Sequence, residues 1–111
     1  MYALGYDVGS SFVKAAILDV EHGSIVAAAS FPDTEMTIHS PVPGWAEQDP
    51  ESWWNAVVGA TRLAASRASI SLHDIRTIGV SYQMHGLVLV DRGGHSLRPS
   101  IIWCDSRATE I

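Results

Sequence analysis

Leu4-Gly5-Tyr6-Asp7-Val8-Gly9-Ser10-Ser11-Phe12-Val13-Lys14-Ala15-Ala16-Ile17-Leu18-Asp19 is the stretch around which this chain is organised. Two short apolar runs meet at Gly9-Ser10-Ser11, a hairpin signal. Tyr6, Val8, Val13, Ile17 and Leu18 favour strands. The joint holds one glycine and two hydroxyl residues, so its backbone N–H groups can point outward, close to a ligand. Asp7 sits just before the joint. Lys14, the only lysine in the chain, sits just after it.

N–H donors, two hydroxyls, a carboxylate and a cation around one turn suit a phosphate with its Mg²⁺. The N–H and O–H groups take phosphate oxygens. The carboxylate takes Mg²⁺, which prefers oxygen ligands and keeps most of its water. A plain β-hairpin with Asp7 as an ordinary polar residue explains the spacing equally well, because short glycine signatures match often by chance. The stretch is not a Walker-type loop. No Gly-Lys-Ser/Thr follows, and no helix starts here.

At 111 residues the chain makes one domain at most. With 47% hydrophobic and 17% charged residues it has a globular rather than a disordered balance. A formal net charge of -5 argues against a nucleic-acid partner, which usually meets a basic face. It does not exclude ATP, whose phosphates are held by local donors and metal. Cys104 is the single cysteine and cannot form an internal disulfide, so a reducing compartment is the default. No basic segment precedes an apolar run at the N-terminus, and the apolar runs fall short of the roughly 20 residues a bilayer span needs. The expectation is a soluble cytoplasmic protein with no membrane partner.

Tyr2–Val8 and Phe12–Val20 read as the first two strands, with Glu21-His22-Gly23 as a turn and Ser24–Phe31 as a third. Pro32 to Glu47 is a loop, punctuated by Pro32, Pro41, Pro43 and Gly44. In it Trp45 is a lid residue or packs on the domain, with packing favoured, and His39 faces solvent. Asp49-Pro50-Glu51 opens the clearest helix, by N-cap, first-turn proline and dipole rules. Trp54, Val57, Val58, Thr61, Ala64, Ala65 and Ala68 then form its apolar stripe, and it runs to about Arg67. The Trp53-Trp54 pair could be a sugar platform, but Trp54 lies on the stripe and reads as core. Ser71-Leu72-His73-Asp74 is a short capped turn. Thr77–Tyr82, Leu87–Asp91 and Ser100–Trp103 are further strands, with a polar break at Gln83-Met84-His85-Gly86 and a turn at Arg92–His95. Gly79 could allow close backbone approach. Asp105 can cap a helix beginning at Ser106. The text stops at Glu110-Ile111, inside that element, and reads as a fragment of a longer enzyme.

Gln83-Met84-His85-Gly86 and Trp103-Cys104-Asp105-Ser106-Arg107 both fall at strand ends, where ligands of such sheets usually sit. Their residue types fit a polyol. His85 and Gln83 can donate to and accept from hydroxyls. Trp103 offers a flat face to a sugar's C–H side. Asp105 can accept from two hydroxyls, with Arg107 fixing its orientation. Equally, Met84 is a packing residue, a lone loop histidine is ordinary, and Asp105 with Arg107 is a helix cap with a local ion pair.

Tyr6-Asp7-Val8-Gly9-Ser10-Ser11 followed by Lys14 resembles the first phosphate hairpin of the actin/hexokinase-type ATPases, in the version carried by the FGGY carbohydrate kinases. Gly44 to Trp54, Ile78 to Asp91 and Leu97 to Arg107 resemble the xylulokinase branch of that family. The Gln-Met-His-Gly run is the most specific piece, since glycerol kinases carry Arg-Glu where Met84-His85 stand. The match covers essentially the whole chain.

The resemblance implies an α/β, ribonuclease H-like fold with a mixed sheet opening on three antiparallel strands. Residues 1–111 would then be the N-terminal portion of the first domain of a two-domain kinase. It implies transfer of the γ-phosphoryl of ATP to D-xylulose, at O5. Asp7 would organise Mg²⁺; Gly9, Ser10, Ser11 and Lys14 would hold phosphate; Gln83, Met84, His85, Trp103 and Asp105 would meet the sugar. The implied partners are sugar, ATP and the remainder of the chain. The family's general base is an aspartate expected beyond Ile111, and neither it nor an adenine pocket matches here. Ser10 stands where threonine is usual, Tyr82 and Ser106 where glycine is, and Cys104 where asparagine is. These departures bear on sugar preference more than on phosphate chemistry. A kinase for another ketose or polyol, and a non-catalytic binding module reusing the fold, are the alternatives. The sequence gives no reading of oligomeric state, and a homodimer stays open.

Overall fold

A computed structural model of the chain describes residues 1–110. Ile111, the last residue of the helix expected from Ser106, lies outside the described residues. The strands are β1 (Tyr2–Val8), β2 (Val13–Asp19), β3 (Ser24–Phe31), β4 (Glu47–Gln48), β5 (Ile75–Tyr82) and β6 (Ser100–Ile101), and the helix is α1 (Pro50–Ala68). Single 3-10 turns lie at Leu72–Asp74 and Arg107–Glu110. The main sheet has the order β3-β2-β1-β5. The first three strands pair antiparallel, as expected, and β5 lies parallel to β1. β4 and β6 form a separate two-stranded sheet.

Side chains alternate across a strand. Leu4 of β1, with Val13, Ala15 and Ile17 of β2 and Ala29 of β3, therefore forms one buried face, which α1 covers with Ala56, Ala60, Ala64 and Ala65. Gly5, Asp7, Lys14 and Ala16 fall on the other face, away from the helix. The Tyr6 and Thr61 hydroxyls hydrogen-bond across the sheet–helix layer. Asp49 caps α1 as its sequence foretells, accepting from the Glu51 N–H at 3.0 Å.

Four expectations need correcting. The apolar stripe of α1 is rotated from the one read in the sequence. Alanines, not tryptophan, set the distance of closest approach to the sheet, and an indole on that line would force the layers apart. Trp54 is accordingly 63% exposed, while Trp53 packs against the core. Leu87–Asp91 is not a continuous strand. It meets its neighbours only at isolated bridges, Leu87 with Ile101 and Val90 with Ser96, because its far end folds into a turn held by the Asp91 carboxylate. The segment expected as a helix from Ser106 toward Ile111 is, over its described residues, a 3-10 turn. Asp105 does cap it, accepting from the Arg107 N–H at 2.9 Å. Gly79 has no close neighbour that would exclude a side chain.

The β4–β6 sheet is held by charge. Glu47 accepts from Arg98 and, at 2.9 Å, from Arg107. Asp105 binds Arg107 through both oxygens and also accepts from the Ala46 N–H at 2.6 Å. The Arg107 guanidinium stacks 3.8 Å over the Trp45 ring, so Trp45 packs within the fold as expected. Hydrogen bonds from Arg107, opposed by burial, hold the Asp105 carboxyl well below the usual carboxylate range. A depressed native value contributes stability that is present above the unfolded value of about 3.9 and is lost as pH falls through the native one. Asp105→Asn should therefore unfold at lower urea than wild type at pH 7. Its midpoint should also change less between about pH 4 and pH 2. In the core, Ile17 is fully buried and Ile25 is 67% exposed. Ile17→Ala should lower the unfolding free energy by about 2–5 kcal/mol, and Ile25→Ala by less than about 0.5 kcal/mol, in the same urea titration.

Candidate functional site at the ends of β1 and β5

Because β1 and β5 are parallel neighbours, their carboxyl ends finish side by side. The turn after Val8 and the bend after Tyr82 therefore leave the same edge of the sheet. The Gln83 N–H donates to the Val8 carbonyl at 3.0 Å and ties the two together. The Trp103 indole N–H reaches the Ser10 hydroxyl at 3.4 Å and brings the segment after β6 onto the Gly9–Ser11 turn.

The turn itself closes through the Gly9 N–H on the Phe12 carbonyl at 3.1 Å. A side chain at position 9 would place its first carbon 3.1 Å from that same carbonyl oxygen, which accounts for glycine. Four carbonyls around the turn are engaged. Val8 is held by Gln83, Ser10 by the Gln48 side chain at 2.6 Å, Ser11 by the Met36 N–H at 2.9 Å and Phe12 by Gly9. The N–H groups of Ser10, Ser11 and Phe12 donate to no acceptor among the described residues. Carbonyls inward and N–H groups free is the polarity an anion requires. Asp7 and Lys14 are register partners on β1 and β2, with Ser81 and Ser30 flanking them. Both are exposed on the helix-free face, and they form no ion pair with each other. One exposed carboxylate beside free N–H donors fits Mg²⁺ carried in on a phosphate, which needs only one or two protein carboxylates.

The bend after β5 opens a hollow of about 260 Å³ lined by Gln83, Met84, His85 and Trp103. Met84 and Trp103 are 65% and 58% exposed. His85 holds the left-handed backbone conformation at φ 64, uncommon outside glycine. Both polar atoms of the Gln83 amide are buried without a partner among the described residues. A buried amide left unpaired carries a desolvation cost that a ligand hydroxyl would relieve.

Asp105 has a different position from the hydroxyl acceptor that its sequence context implies. Its side chain is only 3% exposed, and both oxygens are taken by Arg107 and the Ala46 N–H. It anchors the turn that carries Trp103 rather than facing the hollow. Gln48, which the sequence did not single out, holds the Gly9–Ser11 hairpin, and Trp53 in turn holds Gln48. Only their tertiary contacts reveal this, since a glutamine before a helix cap carries no local signal. The general base expected beyond Ile111 lies outside the described residues.

The family model for the FGGY family of carbohydrate kinases, N-terminal domain, matches residues 2–111. The xylulose kinase of Klebsiella pneumoniae is 41% identical over 96% of this chain and 21% of its own length. The glycerol kinase of Thermococcus gammatolerans is 34% identical over 99% of this chain and 22% of its own. The crystal structure of the xyloylose (xylulose) kinase from Brucella ovis superposes with a TM-score of 0.87 at 39% identity, covering 96% of this chain and 22% of that one. The chain thus spans about a fifth of the length of the relatives it matches. Its sheet and helix are the opening part of the ribonuclease H-like ATPase fold. The chain belongs to the FGGY family of carbohydrate kinases, as part of the family's N-terminal domain.

Proposed function

We propose that this chain is the N-terminal portion of a longer, two-domain, ATP-dependent sugar kinase, and that its sugar is D-xylulose. The observation that carries the reading is the adjacency of two half-sites. A turn with free N–H donors and a hollow with an unpaired amide share one sheet edge and are joined through Trp103 and Ser10. Phosphoryl transfer relies mainly on positioning and charge stabilisation, so such an edge suits it. The N–H groups of Ser10 to Phe12 and the Ser11 hydroxyl would receive phosphate oxygens, with Lys14 adding positive charge. Asp7 would hold Mg²⁺, which supplies neutralisation of charge on the phosphates. Gln83 and His85 would bind the sugar hydroxyls, with Met84 and Trp103 against its apolar side. The γ-phosphorus–oxygen bond to ADP breaks as the bond to sugar O5 forms. The hydroxyl proton goes to a base outside residues 1–111, which the family resemblance implies is an aspartate.

Met84-His85 favours a ketose over glycerol, because glycerol kinases carry Arg-Glu there. Glycerol kinases nevertheless stand among the relatives, so another ketose or polyol is the second reading. ATP consumption by the full-length enzyme, with D-xylulose, glycerol, gluconate and other ketoses offered separately, tests both. D-xylulose should give the highest kcat/KM. A higher value for another sugar transfers the assignment to it, and no turnover with any of them rejects the kinase reading. Residues 1–111 alone should show no sugar-dependent ATP consumption.

Two variants separate the half-sites. Asp7→Ala should lower kcat on the order of 10²-fold with little change in sugar KM, since its metal acts on charge in the transition state. His85→Ala should raise sugar KM by about tenfold, the weight of one lost hydroxyl hydrogen bond, with a smaller effect on kcat.

A further inference from the structure

We propose that Gln48 is a positioning residue that aims the phosphate hairpin, and that Trp53 sets the orientation of its amide. Gln48 is fully buried, yet it makes no contact with the hollow. Its Nε2 donates to the Ser10 carbonyl at 2.6 Å and to the Thr37 carbonyl at 3.3 Å. Its Oε1 accepts from the Trp53 indole N–H at 2.6 Å. The amide can stand only this way round. Reversed, its oxygen would face two carbonyl oxygens and its NH₂ would face an indole N–H.

The consequence follows from peptide geometry. In a trans peptide the C=O of one residue and the N–H of the next point in opposite directions. Holding the Ser10 carbonyl inward therefore turns the Ser11 N–H outward, toward the place where an anion would sit. This peptide plane turns about ψ of Ser10 and φ of Ser11, and the Gln48 bond removes that freedom. The Met36 bond to the Ser11 carbonyl does the same for the Phe12 N–H.

Gln48 also joins the two half-sites. Its backbone lies opposite Ser100 in the β4–β6 pair, and β6 leads directly to Trp103. The Ser100 hydroxyl donates to the Leu87 carbonyl at 2.9 Å, next to the Met84-His85 bend. One buried residue thereby sets the hairpin against helix α1, through its side chain and Trp53, and against the segment that carries the hollow, through its backbone.

The inference rests on the kinase reading for the identity of the anion, but not for the clamp. In the full-length enzyme, Gln48→Met keeps the volume and removes both donors and the acceptor. Misaimed donors should lower kcat by about 10–100-fold and raise the KM for MgATP, with sugar KM within about threefold of wild type. Trp53→Phe removes the indole N–H together with part of the ring that packs against the core, so its crystal structure, not turnover alone, reads the clamp; it should shift the same parameters in the same direction by less. It also decides the matter should Gln48→Met fail to fold. A space-filling role would leave kcat and both KM values of the folded variant at wild-type levels, and that result overturns the proposal. Crystal structures of the variants give a reading independent of turnover. A rotated or disordered Ser10–Ser11 peptide supports the clamp, and an unchanged one sinks it. If wild type phosphorylates no sugar, the kinase reading fails by itself and the peptide plane still decides the role of Gln48.

Discussion

Strand β1 is paired on both edges, antiparallel to β2 and parallel to β5. Everything at the candidate site depends on this double pairing. An antiparallel partner is reached by a tight turn, whereas a parallel partner needs a crossover, here α1. The parallel pairing brings the end of β5 beside the end of β1. The antiparallel pairing places a turn rich in N–H donors at that same end. A one-residue slip of β1 would exchange its faces, sending Asp7 into the helix layer and Tyr6 away from Thr61.

Around this edge the chain uses buried polar side chains to fix backbone that the ladders do not reach. Gln48 holds the hairpin, and Arg107 with Asp105 and Glu47 holds the turn before the 3-10 segment. Each of these groups has hydrogen-bond partners within the protein, as buried polar groups require. Gln83 is the exception, with both amide atoms unpaired among the described residues. That contrast separates the scaffold from the site. Polar groups that shape the edge are satisfied internally, while the Gln83 amide, beside the hollow, has no partner among the described residues.

Much of this was legible along the chain. The three opening strands, the Asp49 cap and the proline-bounded helix are local matters, decided by side-chain periodicity and by the backbone preferences of a few residues. The hairpin at Gly9 to Ser11 and the bend at Gln83 to Gly86 were visible for the same reason. The phase of α1 was not, because the residues facing the sheet are chosen by how near the two layers can come. Small alanines won that competition over the larger Trp54. Nor was the fate of Leu87–Asp91 visible, since its apolar run looks the same whether it pairs along its length or only at isolated bridges.

The amino-acid order by itself determined which hydrogen-bonding groups stand at Gly9 to Ser11 and at Gln83 to His85, and that each set lies at the end of a strand. It could do so because hydrogen-bonding capacity and strand propensity belong to residues and their near neighbours. Only the tertiary structure decided that the two sets share one edge, that the Ser10 carbonyl is turned inward by Gln48, and that Asp105 is a structural anchor. Those outcomes depend on contacts between residues distant in sequence, such as Ser10 with Trp103 and Ala46 with Asp105, whose formation is governed by packing rather than local preference.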